Sequence, residues 1–239
     1  VVTGPANITV AATGASGTAA TQSTISDFLI GATATDIVDG AITSITHDAP
    51  SVFPLGVTTV TFSALDAAGN TGSAQATVTV TDQTAPVITL SGSNSVIISV
   101  GDIFINEGPI ATDNVDGDVR SSIQLTGSVD TNTVGIYTLT FNVSDAAGNA
   151  ATPVTRIVTV QDDNAPVVSA PANIIVAATN ASGTNSTSSA ISAFLIGATA
   201  TDNVDGVITS ISHDAPSVFP LGVTNVTFSA LDAAGNTGS

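Results

Sequence analysis

The sequence predicts an all-β chain of tandem immunoglobulin-like β-sandwiches in a linear array. Three observations carry that prediction: apolar and polar residues alternate with period two, the chain repeats itself in units of 80 to 86 residues, and turn-forming strings recur at matching places in each unit. The alternation is plainest at Tyr137, Leu139, Phe141 and Val143, which are interleaved with Thr138, Thr140 and Asn142. Ala76, Val78 and Val80 alternate in the same way with Thr77, Thr79 and Thr81, and Val60, Phe62 and Ala64 follow suit. Such a pattern buries one face of a strand and leaves β-branched Thr on the wet face. No stretch shows a clear 3.6-residue period, so no helix is expected.

Residues 1–73 align with 167–239 without a gap and differ at 13 of the 73 positions. The differences cluster between positions 14 and 27, which predicts an exposed loop there. A divergent unit lies between the copies. All three units carry Thr-Asp-x-Val-Asp-Gly, at Thr35–Gly40, Thr112–Gly117 and Thr201–Gly206, followed by Asp-Ala-Ala-Gly-Asn, at Asp66–Asn70, Asp145–Asn149 and Asp232–Asn236. The acidic junctions Thr81–Pro86 and Gln161–Pro166 set boundaries at 1–84, 85–164 and 165–239. The third unit is expected to lack a counterpart of the final strand Ala74–Val80, and the chain to be a segment of a longer array. Asp-Ala-Ala-Gly-Asn reads as a tight connection between the last two strands, with Gly148 or Asn149 at positive φ. Tyr137, two residues after Gly135, has the placement of a tyrosine corner.

Composition removes several function classes. There are 19 Asp and Glu against two basic residues, Arg120 and Arg156, giving a formal charge of −17. Without Lys there is no phosphate-binding P-loop, and without a basic face there is no nucleic-acid footprint. An anionic membrane surface would repel the chain, and no apolar run reaches the ~18–20 residues of a membrane span. Zero Cys excludes disulfides, thiolate metal sites and Cys nucleophiles. A hydrophobic content of 43% argues for a folded chain rather than a disordered one. The start, Val1-Val2-Thr3, shows no signal-peptide pattern.

In an immunoglobulin-like sandwich, the two repeated strings fall in loops at one end, where the preceding linker enters. The middle unit then gathers Asp113, Asp116, Asp118 and Asp145 beside Asp82, and the third gathers Asp202, Asp205 and Asp232 beside Asp162, Asp163 and Asn164. The first unit offers Asp36, Asp39 and Asp66. Clustered carboxylates without a protein cation repel one another unless they are protonated or bridged by a metal. Oxygen-only ligands select Ca²⁺, which takes ~6–8 oxygens. These aspartates are therefore the candidate calcium ligands, and an ion there would fix the angle between neighbouring domains. Against this stands the ordinary role of Asp, Asn and Gly in capping turns. An EF-hand is excluded, because Gln124 stands eleven residues after Asp113, where a bidentate Glu is needed.

Catalysis is not expected. His47 and His213 are equivalent positions of the two copies, with Gln124 in the middle unit, and read as solvated loop residues beside a Pro turn. Paired carboxylates can hydrolyse glycosides, but with no Trp and one Tyr the chain lacks sugar-stacking platforms. Asn-x-Ser/Thr sequons occur at Asn7, Asn142, Asn180, Asn185 and Asn225.

The outer units resemble hyalin repeats, the immunoglobulin-like modules of extracellular adhesion proteins. The resemblance rests on Pro5–Val10, on the run Phe53–Phe62 that recurs at Phe219–Phe228, and on Asp66–Asn70. The middle unit is similar to bacterial immunoglobulin-like domains of large surface proteins, through Gly101-Asp102, Ala111–Asp118, Gly135–Thr138 and Asp145–Asn149. Many hyalin repeats carry a cysteine pair that is absent here. The resemblance implies an extracellular, non-catalytic role in adhesion or spacing. The expected partners are neighbouring repeats of the same chain, other copies in a filament, and a surface receptor of unknown identity. The alternatives are a self-assembling filament subunit, or the accessory region of a secreted polysaccharide-degrading enzyme or toxin.

Overall fold

In the computed structural model, which describes residues 1–239, the alternating segments are strands and the repeated strings are the turns between them. The chain is a β-sandwich protein throughout, resolved by its contacts into two compact units. One comprises Val1–Asn94, Asn106–Gly127 and Leu139–Arg156, and the other Ser95–Ile105, Ser128–Thr138 and Ile157–Ser239. The middle repeat contributes segments to both.

In the first unit, the long hairpin Gly56–Leu65 and Thr71–Thr81 is the centre of a four-stranded sheet. Ile8–Ala11 pairs parallel to its second arm, with Val10 opposite Val80, and Ile45–His47 pairs antiparallel to its first arm. A three-stranded sheet of Val2–Thr3, Thr33–Asp36 and Gly40–Ile42 forms the facing layer. The period-two pattern turns Val60, Phe62, Ala76, Val78 and Val80 inward, where they pack with Val10, Ile25, Phe28 and Phe53. Burying one such Val or Phe side chain is worth about 1.5–3 kcal/mol, which is what holds layers of short strands together.

The segment 14–27 is not the exposed loop its variability predicts. It contains the strand Thr18–Ala19, paired with Val52–Phe53, and it opens the helix Ser23–Ile30. Ile25, Phe28 and Leu29 stand at i, i+3 and i+4, so one helical face is apolar. Ile25 and Phe28 are buried, and the Phe28 ring meets Phe62 edge-on at 5.6 Å. The Gln22 side chain caps the helix by accepting from the Ile25 N–H at 3.0 Å. Gly17 is required here: its φ is 103°, and a Cβ would lie 1.9 Å from the Phe53 carbonyl oxygen.

The middle repeat has the same two layers. Val87–Leu90, Pro109–Asp113 and Gly117–Asp118 form one sheet, and Ser95–Ser99, Val154–Gln161, Gly135–Asn142 and Gln124–Thr126 are the successive strands of the other. Arg156 is 2% exposed and is held by the carbonyls of Ser91 and Ser93 and by Asn106 Oδ1, so a buried cation staples the loops around it. Tyr137 is a tyrosine corner as expected, its hydroxyl donating to the Thr133 carbonyl at 2.8 Å.

The third repeat, within the second unit, reuses the facing sheet as Val167–Ser169, Thr199–Asp202 and Gly206–Ile208. Its helix is Ser189–Leu195, with Phe194 against Phe228 at 5.6 Å. Its other sheet comprises Ile211–His213, Phe228–Leu231 and Thr237–Gly238.

Candidate metal centre

Each Thr-Asp-x-Val-Asp-Gly string is a hairpin connection, and its first Asp closes that turn upon itself. Asp113 Oδ1 accepts from the N–H groups of Val115 and Asp116 at 2.7 and 3.0 Å. Asp36 and Asp202 make the same pair of bonds in their own turns. The second Asp reaches across to the other string: Asp116 Oδ2 accepts from the Ala146 N–H at 2.7 Å, Asp39 Oδ2 from Ala67 and Asp205 Oδ2 from Ala233. The two strings therefore meet in all three repeats, as the sandwich topology predicts.

Asp-Ala-Ala-Gly-Asn is the tight turn expected, with its positive φ at the glycine in every copy: 90° at Gly69, 92° at Gly148 and 98° at Gly235. The Asn has a different task. Asn149 gives its backbone N–H to Asp145 Oδ1 and its side-chain amide to Asp145 Oδ2, each at 2.7 Å. That amide also donates to the Asp82 carbonyl of the connecting segment at 3.4 Å, and Asn236 does the same for Asp162 at 3.3 Å. Asn149 and Asn236 thus tie turn to linker. The signal for this was the Asn as fifth residue of every copy.

Asp82, Asp113 and Asp145 each present a carboxylate oxygen within 4.8 Å of the others, and Asp162, Asp205 and Asp232 do so in the third repeat. Two oxygens at ~2.4 Å from one calcium can stand no further apart than about 4.8 Å, so the spread matches a shared ion. Asp145 is only 8% exposed. The Oδ2 atoms of Asp82, Asp113 and Asp202 are buried and have no hydrogen-bond partner. A buried, unpaired carboxylate oxygen carries a large desolvation cost, which a cation would offset. The donor set is all oxygen and suits Ca²⁺.

Other candidates lie outside these groupings. Asp118 Oδ1 accepts from the Arg120 N–H at 2.9 Å and so caps the short 3₁₀ turn Arg120–Ser122. Asp163 is exposed beside Asp162. Asp36, Asp39 and Asp66 build the same hydrogen-bonded frame in the first repeat. His47 and His213 are exposed at strand ends, each with Nδ1 accepting a backbone N–H, and the neighbouring Asp48 and Asp214 turn to the N–H groups of Thr61 and Thr227 instead.

The centre of the first unit also joins repeats. Asn114, in the hairpin held by Asp113, gives its side-chain amide to the Ala12 carbonyl at 3.1 Å, and Val115 packs against the core of the first repeat. The sequence singled out neither residue for this.

Comparison with known proteins shows what the modules resemble. Residues 3–80 match the family model of the HYR domain, and residues 88–160 that of the bacterial surface protein, Ig-like domain. The chain thus resembles a HYR domain followed by a bacterial surface Ig-like domain, each over about a third of its length. Hyalin of Strongylocentrotus purpuratus is 34% identical over 87% of the chain, and hyalin of Lytechinus variegatus is 34% identical over 84%. The chain spans 18% and 39% of those two proteins. An 81.3 kDa protein of Acholeplasma phage L2 is also 34% identical over 89% of the chain, which covers 29% of it. Among solved structures, a lipoprotein of Bacteroides thetaiotaomicron is 34% identical over 34% of this chain and 39% of that one, with a TM-score of 0.31. Repeats EC21-23 of human CDH23 are 16% identical over 89% of this chain and 80% of that one, with a TM-score of 0.35.

The ionisation of the aspartates follows their partners. In the Ig-like domain, burial pushes the Asp145 carboxyl up, but the side-chain amide and N–H of Asn149 outweigh it and hold the group below the ordinary value. Asp232 is lowered by the same balance. In the HYR domain, the Val38 and Asp39 N–H groups lower Asp36, and Asn70 lowers Asp66. Asp162 moves the other way. Burial raises it first, and the charges of Asp202, Asp232 and Asp205 raise it further against the pull of the Asn164 N–H. These turns hold their aspartates charged while crowding the charges together, the condition a divalent cation relieves.

Proposed function

We propose that the chain is the structural and adhesive repeat region of an extracellular surface fibre or adhesin stalk, rigidified by calcium where one repeat meets the next. The carrying observation is the pair of orphaned, buried carboxylate oxygens on Asp82 and Asp113, grouped with Asp145, together with the orphaned Asp202 Oδ2, whose charge acts on Asp162 in the third repeat. In the first centre, Asp113 and Asp145 stand on the middle repeat, and Asp82 is on the segment leaving the strand Thr71–Thr81 of the HYR domain. A shared ion would bind that segment to the following module. When bound, calcium supplies charge neutralisation and a multidentate oxygen cross-link. The chain's own residues do the positioning: the hairpin turn orients Asp113, Asn149 orients Asp145, and Asn114 and Val115 press the turn onto the first repeat.

The HYR and Ig-like modules and the hyalin relatives support an extracellular, non-catalytic reading. The partners proposed are neighbouring repeats, further copies of the chain and a surface receptor. A net charge of −17 would keep calcium-free fibres soluble and mutually repelling. The test is small-angle scattering of the chain in calcium and in chelator. Calcium should narrow the distribution of end-to-end distances, and identical distributions would remove the stalk reading.

A further inference from the structure

We propose that the peptide bond between Arg120 and Ser121 is a processing site, cut once by an arginine-specific serine protease to leave a nicked chain whose halves stay joined. A protease of that class takes a cationic side chain into an acidic pocket beside the bond it cuts. The 239 residues contain no Lys and two Arg, so only two bonds carry the required group. Arg156 is 2% exposed, its guanidinium bound to the carbonyls of Ser91 and Ser93 and to Asn106 Oδ1, and it cannot enter such a pocket while the middle repeat is folded. Arg120 is exposed, as are Ser121 and Ser122 after it.

The bond lies in a connection that is longer in the middle repeat than in its neighbours. Four residues separate Gly40 from Ile45 and Gly206 from Ile211, whereas five separate Gly117 from Ile123. The added length is taken up by the 3₁₀ turn Arg120–Ser122, which carries the chain from one sheet to the other. The outer repeats place Thr43-Ser44 and Thr209-Ser210 there, with no cation. The turn is latched: Asp118 Oδ1 accepts from the Arg120 N–H at 2.9 Å, the Val119 N–H donates to the Ala111 carbonyl at 3.0 Å, and the Val119 side chain is buried. A protease needs its substrate extended, so cutting requires the turn to open, and its rate follows the open population. Hydrolysis puts the hydroxyl of water on the Arg120 carbonyl carbon, leaving a carboxylate, and a proton on the Ser121 nitrogen, leaving a new amino terminus. Native contacts then bridge the cut. Ser95–Ser99 pairs with Ile157–Gln161, Asp116 Oδ2 accepts from the Ala146 N–H, and Arg156 holds the carbonyls of Ser91 and Ser93.

The experiment is limited digestion of the folded 1–239 chain with trypsin, read by intact-mass spectrometry and size-exclusion chromatography. Two products, 1–120 and 121–239, are expected, eluting together at the position of the uncut chain, with the bond after Arg156 intact. Arg120→Gln should leave the chain whole under the same conditions. Asp118→Ala, which lacks the latch, should be cut at Arg120 roughly fivefold faster, with Arg156 still protected as the sign that the variant is folded. Resistance of the Arg120 bond at trypsin levels that cut the urea-unfolded chain after both arginines would overturn the proposal. So would cutting of the folded chain after Arg156 at the same rate, separation of the two fragments on the column, or an unchanged rate for Asp118→Ala.

Discussion

Replacing Asp113 by Asn should raise stability without calcium and abolish the response to calcium, an inversion that a simple turn-capping role does not produce. The amide keeps the Oδ1 acceptor that holds the Val115 and Asp116 N–H groups. It also puts an N–H₂ donor where the buried, unpaired Oδ2 stands, facing the carboxylates of Asp82 and Asp145. Two unit charges 4.8 Å apart repel by about 0.9 kcal/mol at the dielectric of water and about 3.5 kcal/mol at an effective value of ~20. Removing one charge from a half-buried trio should therefore stabilise the calcium-free chain by about 1 kcal/mol after screening. For a module of ~80 residues that corresponds to a rise in melting midpoint of roughly 4–8 °C. Differential scanning calorimetry of Asp113→Asn in chelator and in millimolar calcium reads both effects. A lower midpoint in chelator, together with an intact calcium response, would refute the reasoning.

Other outcomes follow from the same geometry. Asp145→Ala removes the acceptor of both Asn149 bonds and should cost about 2–3 kcal/mol in urea denaturation even in chelator, while Asp118→Ala, which caps only the Arg120 turn, should leave calcium affinity unchanged. Acid should unfold the calcium-free chain. Asp36, Asp66, Asp145 and Asp232 have folded values below the ordinary one, so their contribution is complete above about pH 4 and is lost as pH falls through those lower values. Asp162 is raised and works oppositely, its contribution being present below the ordinary carboxylate value and lost as pH rises through its folded value, so Asp162→Asn should remove that loss from a stability–pH profile recorded in chelator. Asn114→Ala should cost about 0.5–1.5 kcal/mol and broaden the angle between first and middle repeats, as read by residual dipolar couplings.

Much of the sandwich was legible because its signals are local. Alternation at Val60–Ala64 and Ala76–Val80 marks inward faces directly, and Asp-Ala-Ala-Gly-Asn specifies its turn by the one glycine that must take positive φ. The helix Ser23–Ile30 was not read, although Ile25, Phe28 and Leu29 have helical spacing. Two turns are too short for the period to stand out, and substitutions at its polar positions mimic a variable loop. The convergence of Asp82, Asp113 and Asp145 could be deduced from topology. The task of Asn149 and the cross-repeat contacts of Asn114 and Val115 required knowing which atoms face each other.

The most direct measurement of the central claim is thermal unfolding of the 1–239 chain across calcium concentrations, beside the Asp113→Ala and Asp145→Ala variants. An ion that binds only the folded state must raise the midpoint with saturation. The account predicts a saturable rise that each variant diminishes. Superimposable curves from chelator to millimolar calcium would contradict it and leave these aspartates as turn formers in an acidic chain of beads.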